Sequence, residues 1–212
     1  MSGPLYSWGR YPQVAQQGHE CDSIKRLPAH ISQTVARHHT SLPFGNGRSY
    51  GDSCLASSDH VLDMRGLDRF IAADWQRGVV QLEAGMTLSQ LLAAAIPHGW
   101  FLPVTPGTQY VTIGGALAND VHGKNHHRRG TFGCHVRRFE LIRHDQPPMV
   151  CSAVDNPRFF RRQHRRPRSY WRYQLGRAAA DADPQRPDRQ YGSTLRQSGG
   201  VLYAVARAGC AA

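Results

Sequence analysis

Two glycine-rich stretches constrain this chain more than any other feature: PFGNGRSYGD, Pro43 to Asp52, and PGTQYVTIGGALANDVHGKN, Pro106 to Asn125. Glycine at this density weakens helix and strand interiors, and the first stretch, which follows an apolar step, is expected as a loop after a short strand. In the first, Gly45, Gly47 and Gly51 permit positive φ and let a ligand lie against the main chain. Successive N–H groups in such a turn form a concavity that holds an anion. Arg48 adds charge, and Ser49 and Tyr50 add hydroxyls. A pyrophosphate suits this chemistry, but a plain surface turn has the same spacing. The glycines do not fit the dinucleotide fingerprint G-x-G-x-x-G, and no helix start follows them. In the second stretch, Gly114 and Gly115 admit a flat ring or a phosphate against the main chain. They equally admit a tight approach of a helix to its neighbour, and for that stretch alone the packing reading is slightly favoured.

The segments around the loops alternate between helix and strand patterns. Residues 23–40 read as an extended entry followed by a helix striped by Ile31 and Val35. His60–Met64, Phe70–Ala73 and Val79–Glu83 are strand-like. Thr87 N-caps TLSQLLAAAIPHG, which Pro97 and Gly99 end. Residues 103–125 are again rich in Gly and Thr. Val136–Arg143 is a strand that turns through Asp145–Pro148 into a partner near Met149–Ala153. Without a regular βα period, the expected class is α+β.

Composition bounds the remaining choices. No apolar run approaches the roughly 18 residues a membrane span needs, and the N-terminus lacks a charged start followed by an apolar stretch. Cys21, Cys54, Cys134, Cys151 and Cys210 include no C-x-x-C pair, so they are expected as free thiols in a reducing, cytoplasmic setting. The net charge of +11 is uneven: residues 161–212 hold eleven Arg and three Asp, with no Lys or Glu. An arm of this kind, with Tyr170, Trp171 and Tyr173 beside the arginines, is the alternative reading, in which the chain binds nucleic acid. The same segment has few aliphatic residues and is expected to be a disordered tail.

Taken together, the motifs are more specific than either alone. GNGRSYGD, LEAGMTLSQLL, PVTPGTQYVTIGGALANDVHGKNHHRRGTFG and FELIR occur in the order seen in the PCMH-type FAD-binding domain of the vanillyl-alcohol oxidase superfamily. The chain resembles that family over residues 6–160, most nearly its branch of decaprenylphosphoryl-β-D-ribose oxidase-like FAD-linked oxidoreductases. The resemblance implies an incomplete FAD-binding domain over residues 1–160 and a non-native tail over 161–212. It implies that Gly45, Asn46, Gly47, Arg48, Ser49, Tyr50, Gly51 and Asp52 bind the FAD pyrophosphate. Gly107, Thr112, Ile113, Gly114 and Gly115 would line the flavin and its ribityl chain. Asn119, Asp120, Val121 and His122 would pack near the isoalloxazine, with Lys124 on the substrate side. Arg48 stands where some relatives carry a histidine that binds FAD covalently, so non-covalent FAD is expected.

The substrate of the intact relative would be a small alcohol, sugar-like or polyol, oxidised at a CH–OH group. The family continues with a stretch like IGGLGLTG and a substrate domain bearing the catalytic base, neither of which is visible here. The chain is therefore expected to be truncated and inactive by itself, with no catalytic residue assigned. A one-base insertion near Phe160 would account for the change. Read one base later, suitable codons for 161–185 give AANIGGLGLTGVISWAELQLMPI, and the codons of Trp171 and Arg172 force one of its glycines. His122, His126, His127 and His135 invite a metal reading. Gly123 and Asn125 between them argue for a loop, and no carboxylate follows at useful spacing, so no metal is assigned.

Overall fold

A computed structural model describes residues 4–163, 174–179, 201–204 and 206–207. The chain runs through β1 (Gln17–Glu20), α1 (Leu27–His38), β2 (Leu42–Phe44) and β3 (His60–Asp63). These strands form a parallel sheet in the order β1-β3-β2, and α1 supplies the crossover that parallel strands require. α1 starts with Pro28 in its first turn, where the missing N–H costs nothing, and ends at His39 in the left-handed region. Its Leu27–Ile31–Thr34 stripe is buried, and Leu27 and Ile31 join Leu62, Met64 and Leu67 in one apolar cluster. The other face of the sheet packs Val61 and Phe44 with Leu5, Cys54 and Ala56.

Then follow β4 (Phe70–Asp74), β5 (Val79–Glu83), α2 (Leu88–Ala95), the two-residue β6 (Trp100–Phe101), α3 (Ile113–Ala118), α4 (His126–Arg129), β7 (Val136–Ile142), β8 (Met149–Ser152) and α5 (Pro157–Gln163). β4 pairs antiparallel with β5, and β7 with β8. β5 is buried at every position, Gln81 and Glu83 included. The Glu83 carboxylate is satisfied in part by the Arg69 N–H at 3.1 Å. α2 carries a full capping box: the Thr87 hydroxyl accepts from Gln90 N–H at 3.2 Å, and Gln90 Oε1 accepts from Thr87 N–H at 2.8 Å. The larger core gathers Val80, Leu82, Leu88, Leu91, Ile113, Leu117, Phe132 and Phe139. Gly85 joins the two halves of the fold, because a Cβ there would overlap the Met64 carbonyl oxygen.

The mixed helix and strand architecture is that expected of the PCMH-type domain, and the differences in detail have local causes. Residues 103–125, noted for their Gly and Thr content, contain α3, and the tight approach favoured for Gly114 and Gly115 is the docking of this helix on β5. The two glycines of α3 lower helix propensity by about 1 kcal/mol each, but Thr112 caps it and its first turn docks on the exit of β5. β1 is absent from the sequence reading because half its positions are exposed; parallel pairing to β3 creates it. α5 brings Phe160 onto Phe139, ring centroids 5.8 Å apart. Of the segment expected to be a disordered tail, residues 174–179, 201–204 and 206–207 are described, as β9, β10 and β11. β9 and β10 run antiparallel to β5 and β7, and β11 pairs with β6. The remainder of that expectation, and Cys210, lie outside the described residues.

Two outcomes follow from this packing. Thr87→Ala removes the cap of α2 and is expected to lower the free energy of urea unfolding by about 1 kcal/mol. Burial, followed by the charges of Asp63 and Asp22, pushes the Cys21 thiol up to about 12, and burial pushes Cys151 up to about 11. Cys134 is exposed. Alkylation at mildly alkaline pH, mapped by mass spectrometry, is expected to mark Cys134 in the native protein and Cys21 and Cys151 only after unfolding.

Candidate functional site

The first glycine loop leaves β2 at the carboxyl end of the parallel sheet, where open α/β sheets place their ligands. It closes against the segment that leads into α3. Asn46 Nδ2 donates to the Tyr110 carbonyl at 2.9 Å, and the Arg48 guanidinium lies 5.6 Å from the Tyr110 ring centroid. A Cβ at Gly45 would stand 2.5 Å from Thr112 Oγ1, so only glycine lets the two segments meet this closely. Gly47 has φ 60°, and a Cβ there would lie 2.5 Å from the Tyr6 carbonyl oxygen. The two glycine-rich stretches therefore converge, although they belong to different halves of the fold.

Their main-chain donors differ. No N–H from Asn46 to Asp52 donates a hydrogen bond to a described residue. In α3 the donors are already engaged: Ile113 N–H reaches the Met86 carbonyl and Gly114 N–H the Ala84 carbonyl, both at 2.7 Å. Gly115 N–H is taken by Thr112 Oγ1 at 3.2 Å. An anion at this junction thus finds its free main-chain donors in the first loop, not at the helix start. Gly114 is buried, and a Cβ on it would lie 3.1 Å from Ala84 Cβ; it is a packing glycine. Gly51 (φ 64°) and Gly107 would meet nothing within 4 Å, so their surroundings are open to a ligand.

The other candidate residues fall in two groups. Ser49 is half-buried, while Asp52 and Tyr50 are exposed, and Tyr50 meets Trp8 edge-on at 5.5 Å. Asn119 to Lys124 lie beyond the far end of α3. Its six residues span about 9 Å at 1.5 Å each, which separates this group from Thr112. Asn119 Nδ2 donates to the Gly115 carbonyl at 2.9 Å. Asp120 has φ 42°, and its Oδ1 accepts from Gly133 N–H at 2.8 Å, which fixes the turn after α3. Val121 packs on the core, while His122 and Lys124 are exposed.

The histidines singled out from the sequence do not gather into one ligand set. His122 and His126 meet edge-on at 5.1 Å, whereas His135 is buried with Nε2 2.8 Å from the Arg129 carbonyl oxygen. Sequence spacing missed a different cluster, His19, His38 and His60, contributed by β1, α1 and β3. Its signal was positional. His38 extends the buried stripe of α1, and His19 and His60 share the inward parity of their strands.

A family model described as an FAD binding domain matches residues 19–146. The chain belongs to this family. Over 98 residues it is 50% identical to decaprenylphosphoryl-β-D-ribose oxidase of Mycolicibacterium smegmatis, which covers 46% of this chain and 21% of that protein. It is 25% identical over 142 residues to a putative D-arabinono-1,4-lactone oxidase of Neurospora crassa, covering 67% of this chain and 24% of the other. The chain thus spans about a fifth to a quarter of the length of these relatives. Among solved structures, an alkyldihydroxyacetonephosphate synthase superposes with a TM-score of 0.61 at 15% identity, over 69% of this chain and 29% of that one, a likeness of fold. No helix among the described residues is long and apolar enough to cross a membrane. Neither the family match nor these relatives point to nucleic acid, and the basic arm invoked for it lies mostly outside the described residues.

The contact between the loops is open to a double-mutant cycle. Gly45→Ala is expected to destabilise the parent by about 1–3 kcal/mol, and to do so measurably less in a Thr112→Ala background, where the obstructing hydroxyl is gone. Additive losses in urea unfolding would show that the two loops do not touch.

Proposed function

We propose that this FAD binding domain holds FAD non-covalently, as the cofactor-binding part of an oxidoreductase acting on the CH–OH group of a sugar-like or polyol substrate. The unengaged N–H groups from Asn46 to Asp52, beside the Gly45–Thr112 contact, carry this reading. A pyrophosphate needs several main-chain donors and a main chain it can approach; the N–H groups of this loop that no described residue accepts, and the open surroundings of Gly51, support that reading. Arg48 adds a positive charge at the same place, and Arg48 with the Tyr110 ring forms a flat, amphipathic wall beside the loop. From there the cofactor would extend past Gly107 and Thr112–Gly115, with its ring system toward Asn119, Asp120, Val121 and His122. Lys124 would then face the substrate side.

When bound, FAD supplies the acceptor for a hydride leaving the substrate carbinol. The chain's own share is binding and orientation. The Asn46–Asp52 main chain grips the anionic middle of the cofactor, while the Asp120 carboxylate on Gly133 N–H holds the turn that carries His122. Arg48 in place of a histidine supports non-covalent attachment. The substrate class rests on the ribose and lactone in the relatives' names.

The same proposal holds that these 212 residues do not oxidise an alcohol by themselves, since no side chain among them is assigned to take the hydroxyl proton. A reading-frame change near Phe160 and a reducing, cytoplasmic setting, supported by four described thiols that are all free, belong to it too.

FAD titration followed by flavin fluorescence tests the site. The parent is expected to turn yellow and to release intact FAD into the supernatant on acid precipitation. Gly47→Ala is expected to weaken FAD binding about tenfold or more, roughly 1.4 kcal/mol. Anaerobic mixing of the loaded protein with polyols or aldonolactones should bleach the flavin no faster than free FAD. A protein that stays colourless at saturating FAD would overturn the assignment. The nucleotide sequence around Phe160 decides the reading-frame explanation.

A further inference from the structure

On the face of the parallel sheet that α1 covers, three imidazoles meet. His19 lies in β1, His60 opens β3 and His38 is the last residue of α1. In the β1–β3 ladder His60 pairs with Gln17 and His19 with Leu62, so both rings project from the face that α1 covers. On α1, His38 stands one turn beyond Thr34, where the stripe that began at Leu27 runs out. The apolar interface between helix and sheet therefore ends in a patch of three half-buried histidines. His19 Nε2 and His60 Nδ1 are 3.0 Å apart. One nitrogen from each of the three rings falls within 4.8 Å of the other two.

We propose that His19, His38 and His60 form a binding site for a divalent transition-metal ion of the zinc class, separate from the cofactor site. Zinc takes imidazole nitrogens at about 2.0–2.1 Å in tetrahedral geometry, which sets ligand atoms about 3.3 Å apart. The His19–His60 separation is already close to that value. The His38 and His60 rings are stacked, with centroids 3.6 Å apart and planes 15° from parallel. A metal lies in the plane of each imidazole it binds, so His38 must turn out of the stack to ligate. Its ring nitrogens make no hydrogen bond to a described residue, so no such bond opposes the turn. An adjoining open cavity of about 190 Å³, lined by His19, Glu20, His30, Gln33 and His38, has room for a water as fourth ligand.

The surrounding charges suit a metal. Glu20 and Arg37 line the same cavity, so one carboxylate offsets one guanidinium. Burial, with His60 and His38 next, holds His19 below the ordinary histidine range. Burial and then His60 do the same for His38. Three elements that are distant in sequence would be tied together by one ion, which makes the role structural: the folded sheet binds the ion and the unfolded chain does not. This inference does not depend on FAD, because none of the three histidines belongs to either glycine-rich stretch.

Titration of the metal-free full chain with Zn²⁺ and with Co²⁺ tests the proposal. One equivalent of Co²⁺ is expected to give the intense visible bands of four-coordinate cobalt, which Zn²⁺ then bleaches. Zn²⁺ is expected to raise the unfolding temperature in a concentration-dependent way. His19→Gln, His38→Gln and His60→Gln should each weaken binding more than about 100-fold, beyond what loss of an outer-shell partner costs. His127→Gln, at an exposed position elsewhere, should not change it. His38→Gln lies at a helix end and is the variant expected to keep the fold, which far-UV circular dichroism verifies. FAD affinity should be the same with and without Zn²⁺. The site is overturned if Co²⁺ keeps its six-coordinate spectrum, if folded His38→Gln binds like the parent, or if metal and FAD compete.

Discussion

Two main-chain hydrogen bonds of 2.7 Å, from Ile113 N–H to the Met86 carbonyl and from Gly114 N–H to the Ala84 carbonyl, seat the first turn of α3 on the exit of β5. Because β5 is buried at every position, α3 is docked on a strand that exposes none of its residues. This fixes Thr112, which caps α3 and stands against Gly45. The first loop meets the larger core at this junction, where Asn46 also donates to the Tyr110 carbonyl. A side chain at Gly45 would push the two segments apart, and one at Gly114 would press on Ala84.

The glycines therefore divide by role. Gly45, Gly85 and Gly114 are required because another backbone or side chain occupies the place of a Cβ. Gly51 and Gly107 meet nothing, so packing does not account for them. Gly47 belongs to both groups, since it combines positive φ with a close carbonyl and sits among N–H groups that no described residue accepts. The engaged donors of α3 transfer the weight of anion binding to the first loop. The small parallel sheet separates two kinds of polar chemistry. Its carboxyl end opens into the glycine loop, and the three histidines lie on the face that α1 covers.

Much of this was legible in the sequence. Thr87 and Gln90 announced α2 through a local capping pattern. The Val136–Arg143 run and its turn announced β7 and β8, because hairpin partners are close along the chain. The order of the glycine motifs was enough to name the family, which the match over residues 19–146 bears out. Local rules failed where distant contacts outweighed them: α3 forms despite two glycines, and β1 forms despite exposed positions.

The sequence by itself determined which residues make loops, which cap helices and which motifs accompany one another, because backbone freedom and capping are properties of neighbouring residues. Tertiary structure alone decided that Gly114 serves packing while the Asn46–Asp52 donors stay unengaged, since that depends on what β5 places opposite each N–H. It also decided that His19, His38 and His60 meet while His122 and His135 do not form a set. Parallel pairing and a helix crossover bring together residues that no spacing along the chain relates.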